Sequence, residues 1–333
     1  SGALNLSQGY PDFPTSPKLI ELVHQAMKAG YNQYAPMPGI FSLREVIAGK
    51  LERLYQAYYN PDTEITVTAG ATQAIFTAIA ATVQKGDEVI IFAPAYDSYG
   101  PSIEANGGIP LEIEMQPPEF KIDWKKVRQS VTGKTRMIII NTPHNPTGSI
   151  LSDQDMKELS DLTAGSSIII LSDEVYEHMI FDGERHNSVA RYPELADRSF
   201  LVASFGKTFH NTGWKMGYCA APVELMTEFR KIHQFNVFSV NHPMQKAIAT
   251  YLNDPENYDY LPGFFESKRD VFIQALEGSR FTVFPSKGTY FQLLGYREIS
   301  EEGDMELSRR LTVEHKVASI PVSAFYRNRT DHN

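Results

Sequence analysis

Lys207 sits in the run Ser204-Phe205-Gly206-Lys207-Thr208, directly after the apolar residues Phe200 to Ala203, and a second cation, Lys215, follows eight positions later. A lysine just past a strand end, flanked by small residues, presents an amine that can form a Schiff base with an aldehyde, while Ser204 and Lys215 can hold a phosphate. Pyridoxal phosphate makes both demands. An isolated Ser-x-x-Lys is more often a solvated lysine in a glycine-containing loop, so the case depends on other segments.

Three such segments stand out. Thr68-Ala69-Gly70-Ala71-Thr72 leads from an apolar run into a helical pattern. Backbone N–H groups at Gly70, Ala71 and Thr72 can approach an anion there, and the helix dipole favours a phosphate. A purely structural turn is the plainer reading of that segment alone. Asn141-Thr142-Pro143-His144-Asn145-Pro146-Thr147-Gly148 follows another apolar run, and its two prolines restrict the backbone strongly. Asn145 can donate its amide to the phenolic oxygen of the cofactor; the alternative is an ordinary proline-rich turn. Ser172-Asp173-Glu174-Val175-Tyr176 ends a third apolar run. A buried acid is costly unless paired, and a protonated pyridine nitrogen is a suitable partner for Asp173, each charge favouring the other. Tyr176 can share the phenolic oxygen. A helix-capping acid is the competing reading.

The elements that must position these residues alternate along the chain. Residues Glu64 to Thr68, Glu88 to Phe92, Met137 to Asn141, Ser167 to Leu171 and Phe200 to Ala203 read as short strands. Helical patterns run over Thr72 to Gln84 and over Asp153 to Ala164, the latter opened by the cap candidate Ser152. This alternation predicts an α/β fold with a mostly parallel sheet covered by helices on both faces, where ligands collect beyond the carboxyl ends of the strands. Every residue singled out above falls at such an end.

Composition narrows the class. A chain of 333 residues has room for one large and one smaller domain. Its net charge of −9, without a basic stripe, argues against nucleic acid as a partner. The single cysteine, Cys219, lies in the apolar strand-like run Gly217 to Ala221 and reads as core rather than nucleophile. No apolar run reaches membrane-spanning length, and the first residues lack a signal-peptide pattern, so a cytoplasmic enzyme without a membrane partner is the expectation. No metal is called for. His178 and His210 read as structural or supporting residues, and the orientation of His144 is left open.

Taken together and in this order, the four segments resemble the fold-type I, class I/II pyridoxal-phosphate-dependent aminotransferases. The likeness runs from Asn5-Leu6-Ser7-Gln8-Gly9 to Ile320-Pro321-Val322-Ser323. Gln8-Gly9-Tyr10-Pro11-Asp12-Phe13, Asn32-Gln33-Tyr34-Ala35-Pro36, Thr142-Pro143-His144-Asn145-Pro146 and Gly213-Trp214-Lys215-Met216-Gly217-Tyr218 are most similar to the methionine aminotransferases and the kynurenine aminotransferase/glutamine transaminase K branch. The resemblance implies a large cofactor domain over residues 31–230 and a smaller α+β domain assembled from residues 1–30 and 231–333. It implies a homodimer with shared sites, in which Tyr34 reaches the phosphate of the neighbouring subunit's cofactor. Tyr96 matches the aromatic that stacks on the pyridine ring, and Gly9, Tyr10, Asn145 and a Phe238 from the partner match the substrate pocket.

The implied reaction moves the amino group of an L-amino acid to a 2-oxo acid by a ping-pong mechanism, with Lys207 as Schiff-base lysine and then as base. The tyrosines suit methionine and aromatic side chains, and no clear second arginine is present for a distal carboxylate. A cysteine-conjugate β-lyase would use the same residues and differ only in products. A non-enzymatic cofactor-sensing domain would bring a basic helix-turn-helix, which does not precede Asn5. The resemblance also implies an arginine for the substrate α-carboxylate, in an apolar Arg-Phe-x-Phe-like strand beyond Ile320-Pro321-Val322-Ser323. Only Arg327 and Arg329 follow that segment, in a polar stretch without the pattern. A guanidinium is the side chain best matched to a carboxylate, so the expectation is an encoded protein that continues past Asn333 by roughly one strand and helix.

Overall fold

The computed structural model describes residues 2–10 and 12–332. Pro11, part of one motif quoted above, and Asn333 lie outside the described residues. Among the described residues eleven strands are present, in chain order: β1 Leu4–Asn5, β2 Ile65–Thr68, β3 Glu88–Ala93, β4 Ile109–Glu114, β5 Thr135–Asn141, β6 Ile169–Asp173, β7 Ser199–Ser204, β8 Gly217–Ala220, β9 Thr282–Val283, β10 Leu294–Gly295 and β11 Val317–Ala318. Seven of them form one sheet in the order β2-β8-β7-β6-β5-β3-β4. Six run in one direction, and β8 alone runs against its neighbours β2 and β7.

This sheet is apolar on both faces because its central strands are continuous β-branched and apolar runs rather than alternating ones. In β5, Ile138 and Ile140 join one core while Met137 and Ile139 join the other. In β6, Ile170 faces the first core, and Ile169 and Leu171 the second. Each such fully buried side chain contributes roughly 1.5–3 kcal/mol relative to exposure. Helices α1 Pro17–Lys28, α2 Phe41–Tyr55 and α3 Ala71–Thr82 are the first three along the chain. Residues Ala74, Ile75, Ala78 and Ile79 of α3 pack into the second core, beside the helix Val223–Asn236.

The helix Asp153–Thr163 begins at Ser152 with a reciprocal cap: the Ser152 hydroxyl accepts from Asp155 N–H, and Asp155 Oδ2 accepts from Ser152 N–H. Strand β4 has no counterpart in the sequence reading. It carries Pro110, Glu112 and Glu114 and, among the described residues, pairs only with β3, and a sheet edge tolerates the missing N–H of Pro110. The small strands tie the chain's two ends together. β1 pairs in parallel with β11, Leu4 opposite Val317, and β9 pairs antiparallel with β10. Helix α1 packs on the helix His242–Leu252, which also packs on α2. Among the described residues no helix is long and apolar enough to cross a membrane.

Candidate active site

The register of the sheet sets the C-terminal ends of the parallel strands level with the start of the antiparallel β8. Asn141 stands opposite Asp173, Asp173 opposite Val202, and Gly217 opposite both Ser204 and Thr68. Beyond these ends lies a cavity of about 280 Å³. Gly9, Gly70, Ala71, Thr72 and Tyr96 line it together with Asn145, Asp173, Tyr176, Ser204, Lys207 and Lys215. Eleven of the fourteen residues singled out from the sequence therefore converge on one space. Tyr10, Tyr34 and Phe238 do not line it. All three are exposed, Tyr34 to 80%, and the Tyr34 ring stands edge-on to Phe238 at 5.3 Å.

One end of the cavity is built to meet an anion. Gly70, at φ +79°, turns the chain from β2 into α3, whose first-turn N–H groups have no partners within the helix. Gly217 lets β8 approach that turn: a Cβ there would lie 2.6 Å from the Ala203 carbonyl oxygen and 3.2 Å from Ala71 N. Lys215 reaches the same corner from a left-handed backbone position (φ +54°) and makes no ion pair among the described residues. Thr72 Oγ1 lies 3.3 Å from the Tyr96 hydroxyl, which ties the aromatic to the anion corner.

The same cavity is lined by Asp173, the last residue of β6, which is buried. Its Oδ2 accepts from the Tyr99 hydroxyl at 2.6 Å, and Oδ1 from Val175 N–H at 3.4 Å. No ion pair reaches it among the described residues, and burial raises its carboxyl to about 6 against the opposing effects of Tyr99, Val175 and Lys207. Burial lowers the Lys207 amine to about 8, the charge of Lys215 adding to the effect and Asp173 opposing it. Lys207 Nζ donates to the Gly9 carbonyl at 2.6 Å and to the Tyr290 hydroxyl at 2.8 Å. Burial holds the Tyr176 phenol well above its usual range, so that it stays a hydrogen-bond donor. Asn141 fixes the Asn145 loop, its Oδ1 accepting from Asn145 N–H at 2.7 Å and its Nδ2 donating to the Asp173 carbonyl at 2.8 Å.

Sequence reasoning missed Tyr99, Tyr290 and Asn141. Asn141 ends a strand already recognised, and Tyr99 follows Tyr96 by one helical turn; either position could have been found from that spacing. Tyr290 carries no such signal, lying 83 positions beyond Lys207. The histidines stay out of this cavity's lining. His144 is buried against Thr147 Oγ1 at 2.8 Å and held down to about 3 by burial. His210 lines a second, aromatic cavity with Phe13 and Phe264. Cys219 is fully buried, and burial pushes its thiol up. Arg327 and Arg329 also stay away: Arg327 pairs with Glu104 at 2.7 Å, and Arg329 donates to the Ala324 carbonyl at 3.2 Å. No arginine lines the cavity among the described residues.

These groups fit pyridoxal phosphate. The unpaired Lys215 and the start of α3 suit a phosphate, the buried Asp173 lacks the cationic partner that a protonated pyridine nitrogen would supply, and Lys207, with a depressed amine, shares their cavity and feels the charge of both Lys215 and Asp173.

Comparison with known proteins agrees. The pattern of the family "Aminotransferase class I and II" matches residues 1–331. The chain is 48% identical to a methionine aminotransferase of Escherichia coli over 97% of its own length and 84% of that protein's. It is 36% identical to a probable N-succinyldiaminopimelate aminotransferase of Mycobacterium tuberculosis, with 97% and 82% covered. A kynurenine–oxoglutarate transaminase of Dictyostelium discoideum is 34% identical, with 97% and 83% covered. A solved E. coli structure whose reactivity identifies a methionine aminotransferase function superposes with a TM-score of 0.96 over 98% of this chain and 86% of that one. Sheet order, cavity and kinship agree: this chain belongs to the class I and II aminotransferases, enzymes that work with pyridoxal 5'-phosphate.

Proposed function

We propose that this aminotransferase takes its amino group from methionine and from other apolar or aromatic L-amino acids, with Lys207 as the cofactor lysine. The observation that carries the assignment of Lys207 is that its amine shares one cavity with, and feels the charge of, both an unpaired cation at a helix start and an unpaired buried acid. The preference for methionine is supported by the similarity to the E. coli methionine aminotransferase, and by the Tyr96, Ile75, Val175 and Phe291 side chains around the cavity.

The chain's own residues divide the work. Ser204, Lys215 and the first N–H groups of α3 hold the phosphate. Asp173 keeps a positive charge on the ring nitrogen, and Tyr99 orients Asp173 through its short hydrogen bond. Asn145 and Tyr176 donate to the phenolic oxygen, and Tyr96 covers the ring. Pyridoxal phosphate, when bound, supplies the electron sink that stabilises a carbanion at the substrate Cα. Lys207 Nζ removes the Cα proton as a neutral amine, a state that its depressed proton affinity favours near neutral pH.

We further propose a homodimer with shared sites and a cytoplasmic location. Support for sharing comes from the exposed Tyr34 and Phe238, which meet each other away from their own chain's cavity. We also propose a large domain over residues 31–230, with residues 1–30 and 231–333 forming a smaller one; the pairing of β1 with β11 supports it.

One experiment addresses the reading. Cofactor-loaded protein is mixed with single amino acids while its visible absorbance and the released 2-oxo acid are followed, and the lysine that carries the cofactor is identified after borohydride reduction. Methionine is expected to react fastest, and the label is expected on Lys207. A label on another lysine, or pyruvate and ammonia released from cysteine conjugates faster than any 2-oxo acid from methionine, would overturn it.

A further inference from the structure

Tyr290 belongs to none of the motifs above, yet its hydroxyl meets the reacting nitrogen. Lys207 Nζ donates to it at 2.8 Å and to the Gly9 carbonyl at 2.6 Å. The Tyr290 hydroxyl in turn donates to the same Gly9 carbonyl. A carbonyl oxygen has two lone pairs, so Gly9 accepts both bonds at once. The Tyr290 ring is fixed from two sides, edge-on to Tyr176 at 5.4 Å and to Phe291 at 4.9 Å. Burial pushes its phenol up, which keeps the O–H a donor.

A neutral amine carries two N–H bonds and one lone pair. With both N–H bonds directed at Gly9 and Tyr290, the lone pair is the tetrahedral direction left for reaction. Forming a C=N bond between this amine and an aldehyde expels the aldehyde oxygen as water, and both amine protons leave with it. Gly9 and Tyr290 then lose Lys207 as a donor in the same step. The Gly9 carbonyl, partly closed off from water, keeps a partner because the Tyr290 O–H still points at it.

We propose that Tyr290 is a further catalytic residue: its hydroxyl receives the Lys207 amine when that amine is free, and satisfies the Gly9 carbonyl when Lys207 is bonded to an aldehyde. Lys207 can thus bond and be released without leaving an acceptor stranded on either side of the exchange. The inference rests on Lys207 as the cofactor lysine.

Tyr290→Phe tests it, since the substitution keeps the ring and its packing. Cofactor-free protein is titrated with pyridoxal phosphate and, separately, with deoxypyridoxine phosphate, which has no aldehyde and cannot bond to Lys207. Covalent capture is read by borohydride reduction and peptide mapping. The equilibrium constant for capture on Lys207 is expected to fall about tenfold, while affinity for the aldehyde-free compound stays within about twofold of the parent. That second affinity also reports that the variant has folded. Equal losses for both compounds would reduce Tyr290 to a packing residue beside the site, and unchanged capture would remove any role for its hydroxyl; either result overturns the proposal. A label on another lysine in the parent would instead defeat the assignment of Lys207 itself.

Discussion

Asp173 and Glu177 lie four positions apart in one segment, both buried, and their protons are held in opposite directions. The Asp173 carboxyl is raised to about 6 by burial, with hydrogen bonds but no ion pair. Glu177 is lowered to about 2: burial pushes its carboxyl up, but the charge of Lys50 and hydrogen bonds from Lys50 and Tyr55 outweigh it. Its Oε1 lies 2.5 Å from Lys50 Nζ, and its Oε2 accepts from the Tyr55 hydroxyl at 2.5 Å. Glu174, also directed away from the cavity, accepts from Ser172, Val189 and His186. The segment thus has a face that stays short of a partner and a face that is saturated. A buried charge left unpaired is poised to receive a ligand's charge, whereas a paired one anchors the backbone that carries it.

The largest expected effect breaks the first face. Asp173→Asn removes the charge proposed to pair with the ring nitrogen and is expected to lower turnover by about two to four orders of magnitude. In the cofactor-free protein the sign reverses. A carboxyl raised from an unfolded value of 3.8 to about 6 favours the folded state below the first value, and that benefit is lost as pH rises through the second. Thermal unfolding should therefore show Asp173→Asn as more stable than the parent above pH 6, with the gap closing towards pH 4. Turnover within about threefold of the parent would remove the proposed role of Asp173.

Breaking the second face should act on stability first. Lys50→Met leaves Glu177 buried without its cation and is expected to cost roughly 3–5 kcal/mol, read from denaturant unfolding. The double variant Lys50→Met with Glu177→Gln should recover most of that loss, because removing both charges also removes their desolvation. Glu177 gives the parent a pH dependence opposite to that of Asp173: its contribution is present above an unfolded value of 4.5 and is lost as pH falls to about 2. An additive double variant would show that the two side chains do not act as a pair.

The smallest effect sharpens the comparison at Lys207, the cation on the unpaired side. Its amine, lowered from 10.5 to about 8 mainly by burial, becomes neutral at a lower pH than an exposed lysine. The rate of pyridoxal phosphate capture by cofactor-free protein should rise with pH, with its midpoint near pH 8. Lys215→Met, which removes a nearby positive charge, should move that midpoint upward. A midpoint near 10 in the parent would show that burial does not control this amine.

Local sequence determined the strand ends and the residues on them. Short apolar runs such as Met137 to Ile140 and Phe200 to Ala203, bounded by turn residues and alternating with helical patterns, read as interior strands, and the polar residues just after them then emerge at one sheet edge. Asn145, Asp173, Ser204 and Lys207 were legible for that reason, as was the start of α3 at Gly70. Tertiary structure decided the partners. Tyr290 meets Lys207 across 83 positions, and Lys50 meets Glu177 across 127. No local periodicity encodes contacts of that span; they arise when the sheet stacks its strand ends and the helices close over them. The antiparallel course of β8 was equally invisible, because an apolar run such as Gly217 to Ala220 reads the same in either direction. Which acid faces the cavity and which faces a lysine follows from the turn after β6, and only the folded chain sets that turn's position against α2.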